Sequence, residues 1–267
     1  MSEPPLKITV ATVTYNAAAQ IGRTIASVEA QDYPHVEHLI IDGNSQDDTL
    51  AAVHHYQERN SVAPVQHEIN CLSEPDDGLY DAMNKALDMA TGDYIVFLNA
   101  GDTLHSPTTL SHVAVVARQA KTERRGKLPA VIYGDTDLVD SEGRFLRHRR
   151  LSPPEKLTWR SFRSGMLVCH QAFYARTDLA RQFPYDQRYR FSADFDWCIR
   201  IMREAKRGKL ALVHSHEVLA DYLSEGMTTQ NHQASLRERF HIMTRHYGWI
   251  STSFYHLWFV LRSLLKK

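Results

Sequence analysis

Apolar and polar positions follow two rhythms in the first part of the chain. Lys7–Thr14 is a nearly unbroken β-branched and apolar run, which predicts a buried strand. Tyr15 and Asn16 close it, and Asn16 is suited to cap the helix implied by Ile21, Ile25 and Val28. Glu37–Ile41 predicts a second strand, closed by the turn-forming run Asp42-Gly43-Asn44-Ser45, and Thr49–Arg59 a second helix. Val65–Leu72 predicts a third strand. Leu79, Met83, Ala86 and Leu87 predict a helix over Leu79–Ala90, with Gly92 just past its end. Tyr94–Leu98 is an almost wholly apolar fourth strand that runs into Asn99-Ala-Gly-Asp102.

Strands alternating with helices predict βαβ units and a mostly parallel sheet. On such sheets ligands bind beyond the carboxyl ends of the strands. The polar clusters after the first, second and fourth strands all fall there.

The pattern then changes. Val131–Tyr133 and Gly134–Arg147 predict short strands and turns, with a hairpin at Ser141-Glu142-Gly143. Met166–Tyr174, Leu210–Val213 and Val218–Tyr222 are further strand candidates, and Asp194–Glu204 reads as a helix. Thr229–Tyr247 predicts a long polar helix, followed by the aromatic segment Trp249–Leu265.

Composition narrows the class. The chain has 267 residues, 43% of them hydrophobic, enough for a sizeable core. Lys+Arg and Asp+Glu both number 31, so no excess of positive charge marks a nucleic-acid partner. Cys71, Cys169 and Cys198 are too sparse and widely spaced for a disulfide framework and predict reduced, buried thiols. MSEPPLKITV lacks the features of a secretion signal, and no run reaches the roughly 20 apolar residues of a spanning helix. The expectation is a cytoplasmic location.

Three acidic clusters could carry chemistry. Asp42 has two readings: a turn and capping residue, or an acceptor for a base N–H. Asp102 follows an apolar strand, with Gly101 permitting a tight turn. It is either a turn residue or a ligand for a hard cation, which needs only one or two carboxylates beside phosphate and water. Asp194 and Asp196 stand at a helix start, where the dipole favours acidic residues. One of them could instead deprotonate a hydroxyl within hydrogen-bond reach. Glu74-Pro-Asp-Asp-Gly78 is an acidic loop before a helix, and His170-Gln171 interrupts an apolar run. There is no HExxH, GxSxG, P-loop or GxGxxG.

In order and spacing these clusters resemble the family 2 glycosyltransferases, and within them a subgroup that builds bacterial capsule, exopolysaccharide and lipopolysaccharide. The stretches that carry the resemblance are ITVATVTYNAAAQIGRTIASVEAQDYPHVEHLIIDGNSQDDT, SEPDDGLYDAMNKALDMATGDYIVFLNAGD, LVCHQAFY and FSADFDW. It is strong from Lys7 to Asp102 and looser to Thr229.

The resemblance implies an α/β fold of the GT-A type, a Rossmann-like mixed sheet flanked by helices with further helices at the C-terminus. It implies a catalytic domain over residues 1–228, split near 104 into nucleotide and acceptor halves, and a helical appendage over 229–267. It gives Thr12, Tyr15 and Asn16 to the base and ribose of the donor and Asp42 to uracil. Asp76, Asn84, Lys85 and Asn99 join the nucleotide site. Asp102 becomes the ligand of a divalent metal, Mn2+ or Mg2+. The family's acidic motif is thinned here, with Asn99 and Gly101 at usual aspartate positions. Asp194 matches the catalytic base, although Ala193 replaces the family's glutamate. His170 and Asp196 fall on the acceptor side. The implied reaction is inverting transfer from a nucleotide sugar, by default a UDP-sugar, to a saccharide or lipid-linked acceptor.

Two rival readings exist. A sugar nucleotidyltransferase would open with a Gly-rich basic loop, and Thr14-Tyr15-Asn16 is not one. A non-catalytic nucleotide-sugar-binding protein would explain the thinned motif but not the retained Asp102 and Asp194. At the C-terminus Trp249, Phe254, Trp258, Leu261 and Leu265 recur near a helical period. Phe259, Val260 and Leu264 widen the stripe, and His256, Arg262, Lys266 and Lys267 add basic character. That pattern predicts peripheral docking on a membrane surface, against a helix packed on the protein's own core or in a dimer.

Overall fold

The computed structural model describes residues 4–124, 126–224 and 232–264, with side chains in the last helix as far as Phe259. Among the described residues nine strands form one mixed sheet. Strands β1 (Ile8–Thr14), β2 (Val36–Asp42), β3 (Glu68–Ser73) and β4 (Tyr94–Phe97) are parallel neighbours in the order β3-β2-β1-β4. The sheet continues through β8 (Phe173–Arg176), β6 (Val131–Val139), β9 (Leu212–Leu223) and β5 (Thr103–Leu104), and β7 (Phe145–His148) pairs off β6. β8 is antiparallel to both β4 and β6, while β9 runs parallel to β6.

The helices are α1 (Ala18–Glu29), α2 (Thr49–Asn60), α3 (Leu79–Met89), α4 (Thr109–Glu123), α5 (Thr177–Ala180), α6 (Ala193–Arg207), α7 (His232–Tyr247) and α8 (Trp249–Leu264). The two-residue period of β1 divides the core. Ala11 and Val13 join the cluster containing Met83, Leu87, Phe97 and Trp197, under α3 and α6. Ile8 and Val10 join the opposite cluster with Val28, Leu110 and Val113, under α1 and α4.

Several elements differ from the sequence expectation. Helix α4 has no counterpart among the expected elements, although Leu110, Val113, Ala114, Ala117 and Ala120 form a buried helical stripe. The expected strand over Met166–Tyr174 is instead a short 3-10 turn, His170–Ala172, leading into β8. The two short strands expected at 210–222 are one strand, β9. Its polar His-Ser-His-Glu stretch sits at an irregularity of the β6–β9 pairing rather than in a loop. The hairpin expected at 141–143 joins β6 to β7, with Gly143 at φ 81°.

The C-terminal helices pack on the domain. Ile242 and Met243 of α7 are fully buried, and Ser235 meets Ser192 Oγ at 3.0 Å just before α6. Glu238 accepts the backbone N–H groups of Arg190 and Phe191 at 2.8 and 2.9 Å. Residues 229–231, counted into the long helix from sequence, lie outside the described residues. The three thiols are free, and burial pushes Cys71 up to about 11.

Candidate active site

The carboxyl ends of β1 and β4, the loop before α3 and the start of α6 enclose a cleft of about 570 Å³. Tyr15, Asp76, Asn99, Asp102, His170 and Asp194 all line it. Thus six of the residues predicted from sequence converge although up to 179 positions separate them.

Where the cleft meets the end of β1, Tyr15 is 64% exposed. Asp76 lies directly over Gly43: a Cβ on Gly43 would meet Asp76 Oδ2 at 2.6 Å and Tyr15 Cδ2 at 3.3 Å. A side chain there would displace one or both. Asn16 adopts φ 47°, a left-handed conformation that asparagine tolerates. It does not cap α1 as expected. Its Oδ1 accepts the Gln46 N–H at 2.8 Å, tying the β1–α1 loop to the β2–α2 loop. The first N–H groups near α1 are satisfied from that second loop, Ala17 by Thr49 Oγ1 at 2.9 Å and Ala18 by Asp47 Oδ2 at 3.0 Å.

Other predicted residues face elsewhere. Thr12 is buried in β1, with its hydroxyl 2.9 Å from His38 Nε2. Asp42 is fully buried and accepts from Ser45 N, Ser45 Oγ and Ser73 Oγ at 2.9, 2.5 and 2.7 Å, so its hydrogen bonds are those of a turn residue. Asn84 clamps Tyr185 through both backbone groups. Lys85 pairs with Glu74 at 2.8 Å. Asp196 is fully buried between Arg200 at 2.6 Å and His246 of α7 at 2.7 Å. It points away from the cleft because two residues along a helix turn about 200°. It therefore fixes α7 to α6 and does not line the cleft, where the acceptor-side reading had put it.

Two consecutive residues in the 3-10 turn hold the two carboxylates Asp194 and Asp102. His170 Nδ1 lies 3.2 Å from Asp194 Oδ2, and Gln171 Nε2 donates to Asp102 Oδ2 at 2.7 Å. Tyr80 donates to Asp194 Oδ1 at 3.2 Å, its ring held against Tyr185, which stacks on Trp197. Leu223 N donates to Asp102 Oδ1 at 3.0 Å. Gln171, Tyr80 and Leu223 are absent from the sequence-derived site. Gln171 carried a signal, as a polar residue beside His170 in an apolar run. The other two gain their roles only from packing.

The two carboxylates are tuned in opposite directions. Burial alone would raise Asp194, but the hydrogen bond and charge of His170, with Arg239 and the Phe195 N–H, hold it below the ordinary carboxylate range. Burial dominates at Asp102 and pushes it up to about 6, only partly offset by Leu223 N–H and Gln171. Among the described lining residues five carboxylates (Asp76, Asp77, Asp81, Asp102, Asp194) face one guanidinium, Arg190. A diphosphate entering such a cleft needs an added cation. Asn99 Oδ1 is buried without a hydrogen-bond partner beside Asp102 in the cleft lining, which fits an oxygen site for a hard divalent ion.

Comparison with known proteins places the chain in a family. The profile of glycosyl transferase family 2 matches residues 9–180. A PGL/p-HBAD biosynthesis glycosyltransferase of Mycobacterium bovis is 30% identical over 227 residues, covering 83% of this chain and 78% of the relative. The amylovoran biosynthesis glycosyltransferase AmsB of Erwinia amylovora is 28% identical over 189 residues, covering 70% of this chain and 60% of the relative. Among solved structures, S. aureus TarS 1-349 in complex with UDP-GlcNAc superimposes with TM-score 0.65 at 19% identity, covering 89% of this chain and 64% of that one. The mannosyltransferase PcManGT of Pyrobaculum calidifontis, in complex with GDP-Man and Mn2+, gives TM-score 0.65 at 17% identity, covering 95% and 71%. The fold is that of the GT-A glycosyltransferases. The chain belongs to glycosyl transferase family 2 and is a glycosyltransferase.

Proposed function

We propose that this glycosyltransferase moves a sugar, with inversion, from a UDP-sugar to a hydroxyl of a saccharide or lipid-linked acceptor during assembly of a bacterial surface polysaccharide. The observation that carries the reading is the coupling of two oppositely tuned carboxylates, Asp194 and Asp102, through the adjacent side chains of His170 and Gln171. Support for the donor class comes from the UDP-GlcNAc complex of TarS, and for the pathway from the names of the mycobacterial and Erwinia relatives.

Asp194, ionised at neutral pH, accepts the proton of the acceptor hydroxyl. The acceptor oxygen then forms its bond to the anomeric carbon as the bond to the diphosphate oxygen breaks, and the nucleoside diphosphate leaves. His170 and Tyr80 hold the carboxylate in position. Tyr15 and Asp76 border the nucleotide end. Asp102 and Asn99 are the residues that would hold a divalent ion, Mn2+ or Mg2+, which when bound supplies charge neutralisation for the departing diphosphate. A screen of nucleotide sugars with a permissive acceptor tests this. Nucleoside diphosphate release supports transfer, whereas pyrophosphate release would indicate nucleotidyl transfer, and donor binding without turnover a non-catalytic protein.

The lipid-linked acceptor is supported by α8. Thr252 on its inner side is fully buried, and Tyr255 and Phe259 pack on the core. Trp249, Ile250, Phe254, Leu257 and Trp258 remain exposed. Aromatic residues favour the membrane interface, and Arg262, Lys266 and Lys267 follow in sequence. The side chains from Val260 onward, counted into the stripe above, lie outside the described residues. No helix among the described residues is long and apolar enough to cross a membrane. Flotation with anionic vesicles should therefore recover the full chain at low salt, and Phe254→Ser with Trp258→Ser should abolish recovery while transfer to a soluble acceptor persists. Full-chain protein that stays at the bottom of the gradient would exclude lipid docking.

A further inference from the structure

A second group of metal-ligating side chains lies outside the cleft, on β9 and the loop after β7. His214 and His216 of β9 bring their rings to a centroid separation of 4.5 Å, tilted by 50°. Glu155 Oε2 stands 3.7 Å from His214 Nδ1 and 3.7 Å from His216 Nδ1. These separations are too long for hydrogen bonds. They are close to the edge of a tetrahedron around Zn2+, roughly 3.3–3.5 Å for ligand bonds of about 2.0–2.1 Å.

Three further features show that the group is built rather than incidental. His214 has a side chain only 11% exposed, yet neither of its ring nitrogens has a hydrogen-bond partner. Such an orphaned buried imidazole costs free energy unless something ligates it. Its ring stacks at 4.9 Å on Tyr133, whose hydroxyl meets the Pro154 and Glu155 carbonyls and accepts from Leu157 N. The backbone that carries Glu155 is therefore pinned to the sheet that carries the histidines. Finally, Asp135 Oδ2 lies 3.8 Å from His214 Nε2. A carboxylate behind the second nitrogen is the usual support of a metal-bound histidine, and a sub-ångström shift would complete that bond.

The backbone is shaped for the same purpose. The β6–β9 register shifts between Tyr133 and Asp135, and His216 sits at φ 61°. Gly134 permits this crossing, because a Cβ there would lie 2.5 Å from both Glu217 O and Ser215 Oγ. A non-glycine residue in the left-handed region is strained, and strain of this kind clusters at ligand sites.

A second cluster, His105, Asp137 and Asp221, offers a contrast. There His105 Nδ1 meets Asp221 at 2.7 Å and His148 Nδ1 meets Asp137 at 2.7 Å, so the groups already satisfy one another. At His214 the same residue types are spaced for an ion instead.

We propose that Glu155, His214 and His216 form a divalent-metal site of the zinc class, supported by Asp135, that fastens the 149–160 loop to the bulge of β9. Two imidazoles and one carboxylate suit Zn2+ over Mg2+ or Ca2+, which prefer all-oxygen sites. The fourth position faces solvent, since His216 and Glu155 are both exposed. This site is independent of the cation proposed at Asp102.

The test uses the full chain, stripped with a chelator and titrated with Zn2+ against a chromophoric competitor, without nucleotide. One equivalent should bind and raise the melting temperature. Glu155→Gln and His216→Asn, both at exposed positions and the latter tolerant of the left-handed backbone, should each weaken binding at least ten-fold. Asp102→Asn and His105→Ala should leave it unchanged. Co2+ in place of Zn2+ should give the intense visible bands of a four-coordinate site, lost in His216→Asn. Absence of uptake, or equal uptake by the Glu155 and His216 variants, overturns the proposal. Loss in Asp102→Asn alone would assign the ion to the cleft, overturning this site while sparing the transfer reading.

Discussion

Replacing Asp194 with asparagine is expected to cut sugar transfer by about 10²–10⁴-fold, the usual cost of losing a general base, with donor affinity essentially unchanged. Asparagine keeps the shape of the side chain and can still meet Tyr80 and His170, but it cannot take a proton. Loss of kcat without loss of donor binding is the signature of an interaction needed only in the chemical step. The pH profile adds a check. Burial pushes Asp194 up, but the hydrogen bond and charge of His170, with Arg239 and the Phe195 N–H, together hold it below the ordinary carboxylate range, so activity should be lost only as pH falls through that depressed value. In His170→Ala the burial term is left unopposed by that partner. The acidic limb of kcat/KM should then move to higher pH. A limb that stays in place would show that His170 does not tune the base. Asp196→Ala should behave differently, destabilising the fold by about 3–5 kcal/mol because it strips a buried carboxylate from Arg200 and His246. A folded, donor-binding Asp196→Asn protein without activity, beside an active Asp194→Asn, would reverse the assignment.

Asp102→Asn is expected to weaken metal-dependent donor binding at least 100-fold, beyond the roughly 10–100-fold that loss of a mere supporting group costs. The variant should fold. Gln171 Oε1 is buried without a partner, so a flip of that amide lets it accept from the new Nδ2 while Leu223 N–H keeps its acceptor. Wild-type binding should also depend on pH in a defined window. Burial raises Asp102 to about 6, so the folded protein favours the protonated form. Its contribution to stability is present below the unfolded carboxylate value and is lost as pH rises through about 6. A cation needs the ionised form and competes with that proton. Mn2+-dependent tightening should therefore be full above pH 7, half-lost near 6 and proton-releasing in between, measurable by calorimetry in buffers of different ionisation enthalpy. Donor binding indifferent to chelator in both proteins would remove the metal from this site.

Much of the site could be read from sequence because its residues sit at strand ends. Tyr15, Asp102 and the loop containing Asp76 follow or precede elements whose periodicity is unambiguous, and parallel topology carries such ends to one edge. Asp194 was legible for a similar reason, as an acidic residue opening a strongly amphipathic helix. Side-chain direction was not. Asp194 and Asp196 look alike in sequence, yet one faces the cleft and the other α7. Thr12, on a strand that borders the cleft, and Asp42, at the end of the neighbouring strand, turn inward into a histidine contact and a serine-rich turn. Helix α4 was missed although its apolar spacing is regular, whereas the His170–Ala172 turn lies inside an apolar run that looks like strand.

The sequence by itself determined the alternation of strands and helices, the family, and the few carboxylates able to do chemistry. All of these depend on local periodicity or on spacing along the chain. Only the tertiary structure decided which carboxylate meets His170, that Gln171 and Tyr80 complete the site, and that His214, His216 and Glu155 converge at a bulge. Those facts depend on rotation about a helix axis and on register between strands distant in sequence. A one-residue slip turns a strand side chain to the opposite face and a helix side chain by about 100°, and burial beside particular partners then sets the charge state the chemistry uses.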